Sequence, residues 1–357
     1  MTWLPPGVHV QVMERLFIEQ GLMDKDNMST SLENTSAASI NTSQSAGISS
    51  VNAVCSTLLL LSFLVGAAMN GFCLWVLGVK MKKTVYALWF FHLVLSYLMV
   101  CAFLPFYAIY ALLGFHWIFG TVFCKLSTFI FSLWMFIAAF LLTIISLDRC
   151  LIIGNPTWTQ NHRSIPWAKK LIAWTWLASV ALSVAYPVFQ ETLVVEKDRI
   201  VCKNHCAISI QVVLFLFQFL VAFLLPFIII VGSYCWVGQK MKKKRLVKTG
   251  KTYRVLVASV GSFFICWFPF HLHNGLLLME VPEIIVQFLW HMMLIGGCLN
   301  TCFTPILYLF VGEEFQVIFR MSIPTLLKKA FVDASEEDGN NEEEDHRINN
   351  PRSSGRR

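Results

Sequence analysis

The chain has 357 residues, of which 56% are hydrophobic and only 14% are charged. A soluble protein of this length needs a larger polar surface, so the composition argues against an ordinary soluble fold and indicates lipid as the solvent. The formal net charge of +7 comes from short basic segments between apolar runs, which argues against a nucleic-acid partner because such a partner needs one continuous basic face.

The first 50 residues are rich in Ser, Thr and Asn, which predicts a disordered tail. Residues 1–20 contain no uninterrupted apolar core, so no signal peptide is expected there. Three tripeptides of the tail fit the pattern for N-glycosylation, and they predict glycans on Asn27, Asn34 and Asn41. Three acceptors in one short tail indicate that this end of the chain is extracellular.

Seven apolar runs follow the tail, near residues 52–78, 86–112, 121–152, 168–190, 209–238, 252–279 and 284–311. Each exceeds the roughly 20 residues that cross a bilayer core as a helix. A helix satisfies its own backbone hydrogen bonds in lipid, whereas a membrane β-barrel would show alternating segments of about 10 residues. The predicted fold class is therefore all-α, a seven-transmembrane helix bundle over residues 51–312.

Basic residues concentrate in the connections after the first, third and fifth runs, where they include Lys80, Arg163 and Lys240. The alternate connections carry little net positive charge. Because positively charged loops stay in the cytosol, this pattern predicts a multi-pass plasma-membrane protein with an extracellular N-terminus. The glycosylation pattern points to the same orientation.

Prolines lie inside five of the runs, at Pro105, Pro187, Pro226, Pro269 and Pro305. Proline removes a helix hydrogen bond and favours a kink, which suits a bundle that must hold a cavity and move.

The C-terminal part of the chain divides into two segments. Residues 313–329 have apolar positions at helical spacing and basic neighbours, which predicts a short amphipathic helix on the inner membrane surface. Residues 330–357 are predicted to form an acidic cytoplasmic tail.

Several short motifs occur in successive runs, and their order is more specific than any one of them. They are Asn70, Trp117, Cys124, DRC at 148–150, Trp174, Pro226 with Tyr234, CWFP at 266–269 and TPILY at 304–308. With these motifs the chain resembles the rhodopsin-like class of G-protein-coupled receptors over nearly its whole membrane portion. The strings HWIFG at 116–120, SLDRC at 146–150 and WTQNHR at 158–163 are similar to the chemoattractant branch of that class, which includes formyl-peptide, chemerin-type and chemoattractant-type prostaglandin receptors. Further strings at 90–97, 264–271 and 308–313 are similar to one orphan receptor.

The resemblance implies a set of residues that switch between resting and active states. In related receptors the arginine that matches Arg149 is held by its neighbouring aspartate at rest and contacts a G protein after activation. The implied switch residues are Asp148, Arg149, Tyr234, Trp267, Pro269, Pro305 and Tyr308.

Three cysteines lie in polar-flanked segments and are candidates for a disulfide, namely Cys124, Cys202 and Cys206. The resemblance implies the pair Cys124–Cys202, which would tie the second extracellular loop over the cavity mouth. Cys206 is a rival for the same partner.

Four positions depart from the pattern of related receptors, and they surround the place where those receptors hold a buried sodium ion. Tyr97 replaces an aspartate, Thr304 replaces an asparagine, and Trp134 and Ala138 occupy nearby polar positions. Hard cations prefer oxygen ligands, so a sodium site without the carboxylate is not expected. The same departures put the strength of signalling in doubt.

Ligand recognition differs from that of the formyl-peptide receptors. Where those receptors have arginines and an aspartate, this chain has Leu214, Gln218 and Ser132. The residues expected to bind ligand are Lys125, Gln218, Phe270, His271, Asn274, Trp290 and His291. A mostly apolar pocket with few polar groups suits a lipid mediator or a peptide terminus.

These features predict a chemoattractant-type receptor that binds an extracellular lipid or peptide and activates inhibitory-class heterotrimeric G protein. The resemblance adds arrestin and membrane lipids as partners. The alternative is a weakly coupled or decoy receptor. The runs show no internal repeats of the kind transporters have and no nucleophile–base motif of a hydrolase, so no enzyme activity, cofactor or metal is expected.

Overall fold

The computed structural model describes residues 50–195, 198–243, 250–279 and 281–311. The predicted glycosylation sites Asn27, Asn34 and Asn41, the amphipathic helix 313–329 and the tail 330–357 lie outside the described residues. Residues 50–307 belong to one compact unit.

The first half of the bundle has four long helices. The first runs over Ser50–Trp75 and continues as a π-helix over Val76–Lys80. The second is divided into Val85–Cys101 and Leu104–Leu112, and the third is continuous over Gly120–Gly154. A short helix, Pro156–His162, leads to the fourth, which is divided into Ile165–Ser183 and Ala185–Val188.

A two-stranded antiparallel hairpin follows the fourth helix, with β1 at Gln190–Val195 and β2 at Arg199–Asn204. The fifth helix runs over Ile208–Phe219, passes through a π-helix at Leu220–Leu224 and continues over Leu225–Lys243. The sixth helix is Gly250–Leu276 and the seventh is Glu283–Val311. We call the end of the bundle with β1 and β2 the hairpin end, and the end with Asp148 the opposite end.

Six segments of the described chain are long and apolar enough to cross a membrane, namely Ser50–Lys80, Val85–Leu112, Gly120–Gly154, Ile165–Val188, Ile208–Lys240 and Ile284–Cys302. With the sixth helix they form seven long helices among the described residues. The predicted all-α seven-helix bundle is confirmed, whereas the sequence did not predict the hairpin.

Local sequence explains where several helices begin or change direction. Thr84 accepts a hydrogen bond from the Ala87 amide at the start of the second helix, and Ser164 accepts one from the Trp167 amide at the start of the fourth. Such caps satisfy amides that have no partner in the first turn. Pro105 lies in the first turn of the second half of the divided second helix, and Pro226 follows the π-helix in the fifth.

The third helix is the centre of the bundle. It packs against the second, fourth and fifth helices and against β1. In its most apolar window 72% of the residues are buried, compared with 28% in the first, fourth and fifth spans. Large apolar side chains on the outer helices are exposed, including Leu64, Leu177, Ile228 and Ile265. This outward apolar surface fits a lipid solvent.

The sixth and seventh helices approach each other closely at Gly296. A Cβ atom added to Gly296 would lie 2.6 Å from the backbone carbonyl oxygen of Cys266. Because that neighbour is backbone, a rotamer change cannot relieve the clash. The two helices can therefore approach this closely only because residue 296 is a glycine.

We expect Gly296→Ala to lower the stability of the solubilised protein by about 1–3 kcal/mol, since it overpacks a tight contact. Thermal unfolding in detergent measures the effect. Gly261→Ala is the matched control, because a Cβ at Gly261 meets nothing within 4 Å and alanine is the better helix former. Equal unfolding midpoints for the two variants would contradict the close approach.

Candidate functional site

A disulfide joins the third helix to the hairpin. It links Cys124 to Cys202, whose Cα atoms lie 5.7 Å apart, and Cys202 pairs with Thr192 across the hairpin. Cys206 is a free, half-buried thiol. Burial raises the pKa of the Cys206 thiol, which lowers the thiolate fraction that would compete in disulfide exchange.

Other contacts hold the hairpin beside the connection between the second and third helices. The Trp117 amide donates a hydrogen bond of 2.8 Å to the Ile200 carbonyl, and the Ile200 amide donates one of 3.2 Å to His116 Nδ1. The hydroxyls of Thr121 and Thr192 lie 2.5 Å apart. These contacts fix the hairpin across the end of the bundle.

A cavity lies beneath the hairpin, between the third, fifth and sixth helices. It has a volume of about 820 Å³, including the part open to solvent. Fifteen side chains line it, from these elements, from Tyr186 on the fourth helix and from the two residues after the sixth, namely Thr128, Phe131, Ser132, Tyr186, Gln190, Asn204, Ile208, Gln211, Leu214, Phe215, Gln218, Phe270, Asn274, Leu277 and Leu278.

Three of the seven residues expected to bind ligand line this cavity: Gln218, Phe270 and Asn274. The other four, Lys125, His271, Trp290 and His291, do not line it. The structure therefore brings only part of the expected set together, and ligand binding by these residues stays a prediction.

Each of the four residues outside the cavity has other neighbours. Lys125 Nζ donates to the Val188 carbonyl at 3.4 Å, and the His291 ring nitrogen lies 2.7 Å from the Gln287 carbonyl oxygen. The His271 ring packs 4.6 Å from that of Phe223 on the fifth helix, and Trp290 packs 5.8 Å from Phe115. Lys125, His271 and Trp290 thus contact neighbouring elements, and His291 contacts its own helix.

Sequence reasoning missed most of the lining residues, although their spacing carries a signal. Each helix contributes positions three or four residues apart, which share one face of a helix. The series are 128, 131 and 132 on the third helix, 211, 214, 215 and 218 on the fifth, and 270 and 274 on the sixth, whose end at Leu276 is followed by the lining residues Leu277 and Leu278.

Trp267 lies directly below the cavity. Its ring centroid is 5.6 Å from that of Phe131 and 5.3 Å from that of Phe270, and both of these phenylalanines line the cavity. On the other side it contacts Trp134 at 5.0 Å, and Trp134 contacts Tyr97 at 5.3 Å. We call these five residues the aromatic column. It leads from the cavity to the second helix through buried ring contacts.

Tyr97 and Trp134 pack against each other at the positions where related receptors have an aspartate and a polar residue. The Tyr97 hydroxyl donates a hydrogen bond of 3.4 Å to Asn300 Oδ1 on the seventh helix, and Tyr97 is buried. In these described contacts, aromatic rings and a neutral amide take the place of a carboxylate.

We expect the receptor to be insensitive to sodium, because a hard cation needs oxygen ligands and Tyr97 brings no carboxylate. The measurement is the thermal unfolding midpoint in sodium chloride and in choline chloride at equal ionic strength. Equal midpoints are expected. A stabilisation specific to sodium would contradict the prediction.

At the opposite end, Asp148 forms an ion pair with Arg163 and not with Arg149. Arg163 Nε lies 2.7 Å from Asp148 Oδ1, and its Nη2 lies 2.9 Å from Oδ2. The Arg149 guanidinium lies 4.5 Å above the Tyr86 ring on the second helix. In this structure Asp148 is therefore paired with Arg163, and the resting role implied for Asp148 and Arg149 stays a prediction. Adjacent helical residues point in different directions, whereas Arg163 presents a planar fork that matches a carboxylate.

The other switch residues lie on the last three helices. Tyr234 is buried on the fifth helix, and Pro269 lies inside the sixth, two residues after Trp267. Pro305 and Tyr308 fall in the seventh helix, outside the residues whose side chains the structure describes. The switch roles of all seven residues stay predictions.

Residues 69–308 match the family described as "7 transmembrane receptor (rhodopsin family)". Probable G-protein coupled receptor 33 of Homo sapiens is 40% identical over 291 residues, covering 78% of this chain and 87% of the relative. N-formyl peptide receptor 3 of Macaca mulatta is 30% identical over 292 residues, covering 76% and 84%. Chemerin-like receptor 1 of Rattus norvegicus is 32% identical over 271 residues, covering 69% and 72%.

These matches confirm the predicted resemblance to a rhodopsin-like class, to formyl-peptide and chemerin-type receptors and to an orphan relative. The matched families are receptors, which also confirms that the chain is not an enzyme. Together with the apolar spans they make it a multi-pass protein of the plasma membrane. The chain belongs to the rhodopsin family of seven-transmembrane receptors.

Proposed function

We propose that this receptor is of the chemoattractant type, binds an extracellular lipid or peptide mediator at the hairpin end and activates inhibitory-class heterotrimeric G protein at the opposite end. The similarity to N-formyl peptide receptor 3 and to Chemerin-like receptor 1 supports a chemoattractant-type mediator. The basic residues Lys80, Arg163 and Lys240, which follow the first, third and fifth spans, support an extracellular N-terminus. Arrestin is a further proposed partner.

The observation that carries the proposal is that the Trp267 ring packs against Phe131 and Phe270, which line the cavity. A ligand that displaces Phe131 or Phe270 also displaces the Trp267 ring, which lies two residues before Pro269. Packed interiors respond to small displacements by changing between discrete arrangements. A proline in the same helix provides a point where the helix can bend.

Nucleotide exchange on purified inhibitory-class G protein tests the proposal directly. The receptor, reconstituted in nanodiscs, is challenged with candidate lipid and peptide mediators. We expect at least one mediator to accelerate exchange, and Arg149→Ala to abolish the acceleration while surface display is retained. A mediator that binds without accelerating exchange on any G-protein class would overturn G-protein activation as the function.

One observation favours the alternative of a weakly coupled or decoy receptor. Tyr97 and Trp134 stand where the resemblance implies polar groups in the middle of the bundle, and their rings pack against each other. Ligand binding at unchanged basal exchange would support this alternative.

A further inference from the structure

The side chains that line the cavity beneath the hairpin are polar or apolar but uncharged. Among the described residues, its lining includes no acidic, basic or histidine side chain. Its polar groups are hydroxyls and carboxamides. The carboxamides come from the hairpin, the fifth helix and the sixth helix, and they belong to Gln190, Asn204, Gln211, Gln218 and Asn274.

Three of these carboxamides are already engaged within the protein. Gln190 Nε2 donates to Asn204 Oδ1 across the hairpin, and Gln211 Nε2 donates to the Cys206 carbonyl at 3.1 Å. They shape the cavity wall near the hairpin and have limited capacity left for a ligand.

The other two carboxamides, those of Gln218 and Asn274, differ from these three. Gln218 Nε2 has Met135 Sδ as a neighbour at 3.7 Å, and a thioether sulfur is a weak acceptor. Asn274 Oδ1 is buried and has no hydrogen-bond partner among the described residues. Unsatisfied buried acceptors are costly, so Asn274 favours a ligand that brings an N–H or O–H donor.

Charge on the buried part of a ligand would be costly in this cavity. A carboxylate or an ammonium group loses its hydration on entry and meets no opposite charge in the described lining. Charged groups lie outside the lining instead, where Lys125 contacts the Val188 carbonyl and Glu191 lies 2.9 Å from His205. A ligand can therefore carry charge on the part that lies outside the cavity but not on the end that is buried inside it.

We propose that the ligand end buried in this cavity is uncharged and carries a primary or secondary amide, which donates to Asn274 Oδ1 and accepts from Gln218 Nε2. The inference rests on the proposed function, in that the cavity is taken as the receptor's ligand site. An amide-ended acyl chain and a peptide with an amidated C-terminus present the same chemistry. Apolar walls such as Phe215 and Leu277 accommodate the chain that follows the amide.

The test compares ligands that differ only in the charge of the buried end. The probes are oleamide and oleate, and an N-acetylated apolar tripeptide with either an amide or a carboxylate C-terminus. Binding is measured on the full chain in nanodiscs, without G protein, by thermal stabilisation against probe concentration. We expect an amide-ended probe to bind at least about tenfold more tightly than its acid, because each tenfold step needs only one modest polar contact.

Two variants link the preference to the cavity. Asn274→Leu removes the free acceptor and is expected to erase the amide preference. Gln218→Arg introduces a guanidinium and is expected to reverse the preference toward the acids, since arginine pairs with carboxylates. Gln287→Leu is the matched control, because it removes an exposed carboxamide that does not line the cavity. It should leave the preference unchanged.

The outcomes separate this inference from the proposed function. Acids that bind as tightly as amides, or no binding by either amide-ended probe, would overturn it. Preference for oleamide alone would assign the chemistry to lipids, and preference for the peptide amide alone would assign it to peptides. Acid-ended mediators that accelerate nucleotide exchange would refute the amide inference while supporting the proposed function. Binding of an amide-ended probe that does not accelerate nucleotide exchange would support the amide inference while counting against the proposed function.

Discussion

Replacing Cys124 with serine is expected to remove most of the receptor from the cell surface. The bond to Cys202 closes a loop with a sequence separation of 78, and loss of such a disulfide costs about 2–5 kcal/mol. The change also removes the covalent link between the hairpin and the third helix, which is the centre of the bundle. The measurement is antibody labelling of intact cells relative to total expression, and a several-fold reduction is expected.

Two further variants decide whether the effect belongs to this bond. Cys202→Ser should reproduce the loss, and the double variant should be no worse than either single one, because both remove the same bond. Cys206→Ser is the matched control in the same segment and should retain display, since Cys206 is a free thiol. Normal display of Cys124→Ser, or a loss confined to Cys206→Ser, would contradict the pairing.

The helices were predictable from the sequence because lipid imposes one strong constraint. A backbone in lipid must satisfy its own hydrogen bonds, so each long apolar run has one available structure. The predicted run 121–152 and the observed helix Gly120–Gly154 differ by only a residue or two at each end. The break at Ala102 and Phe103 was not placed in advance, although Pro105 marked the region.

The hairpin was not predictable in the same way. Its strands are six residues long and mix charged with apolar side chains, so they carry no strong periodic signal. What holds them is distant in sequence, including the disulfide to Cys124 and the hydrogen bonds between Trp117, His116 and Ile200. Local propensity does not report such contacts.

The candidate site was predictable only where helical spacing sufficed. Gln218, Phe270 and Asn274 face the cavity as expected, whereas His271 follows Phe270 directly and is turned toward Phe223. The same geometry explains Asp148. Its neighbour Arg149 lies about 100° further round the helix, and its partner Arg163 comes from a segment 15 residues away. Sequence adjacency and spatial adjacency differ on a helix.

The second large effect is expected at this ion pair. Arg163→Ala leaves the buried Asp148 carboxylate without its guanidinium, and breaking one side of a buried pair costs about 3–5 kcal/mol. The Arg163 side chain is 20% exposed, so the lower end of that range applies. We expect a lower thermal unfolding midpoint in nanodiscs. The unfolding midpoint of Arg163→Lys should lie between those of the unchanged receptor and Arg163→Ala, because lysine keeps the charge but cannot make two parallel hydrogen bonds to the carboxylate.

A double-mutant cycle separates the pair from its surroundings. Asp148→Asn combined with Arg163→Gln leaves neither charge uncompensated, so the double variant should be more stable than the sum of the single losses predicts. Additive losses would show that the contact does not hold the two segments together.

Basal nucleotide exchange adds a functional readout to the same variants, and it rests on the proposed coupling to G protein. With Arg163 gone, Asp148 has lost its better-oriented partner, so the long Arg149 side chain can leave Tyr86 and pair with the carboxylate, and exchange should fall. With Asp148→Asn, nothing holds Arg149, and exchange should not fall. A fall in Arg163→Ala without a fall in Asp148→Asn would mean that Arg163 keeps Arg149 available by pairing with Asp148. The ion pair would then be a determinant of signalling strength. A fall in both would assign the ion pair to stability alone.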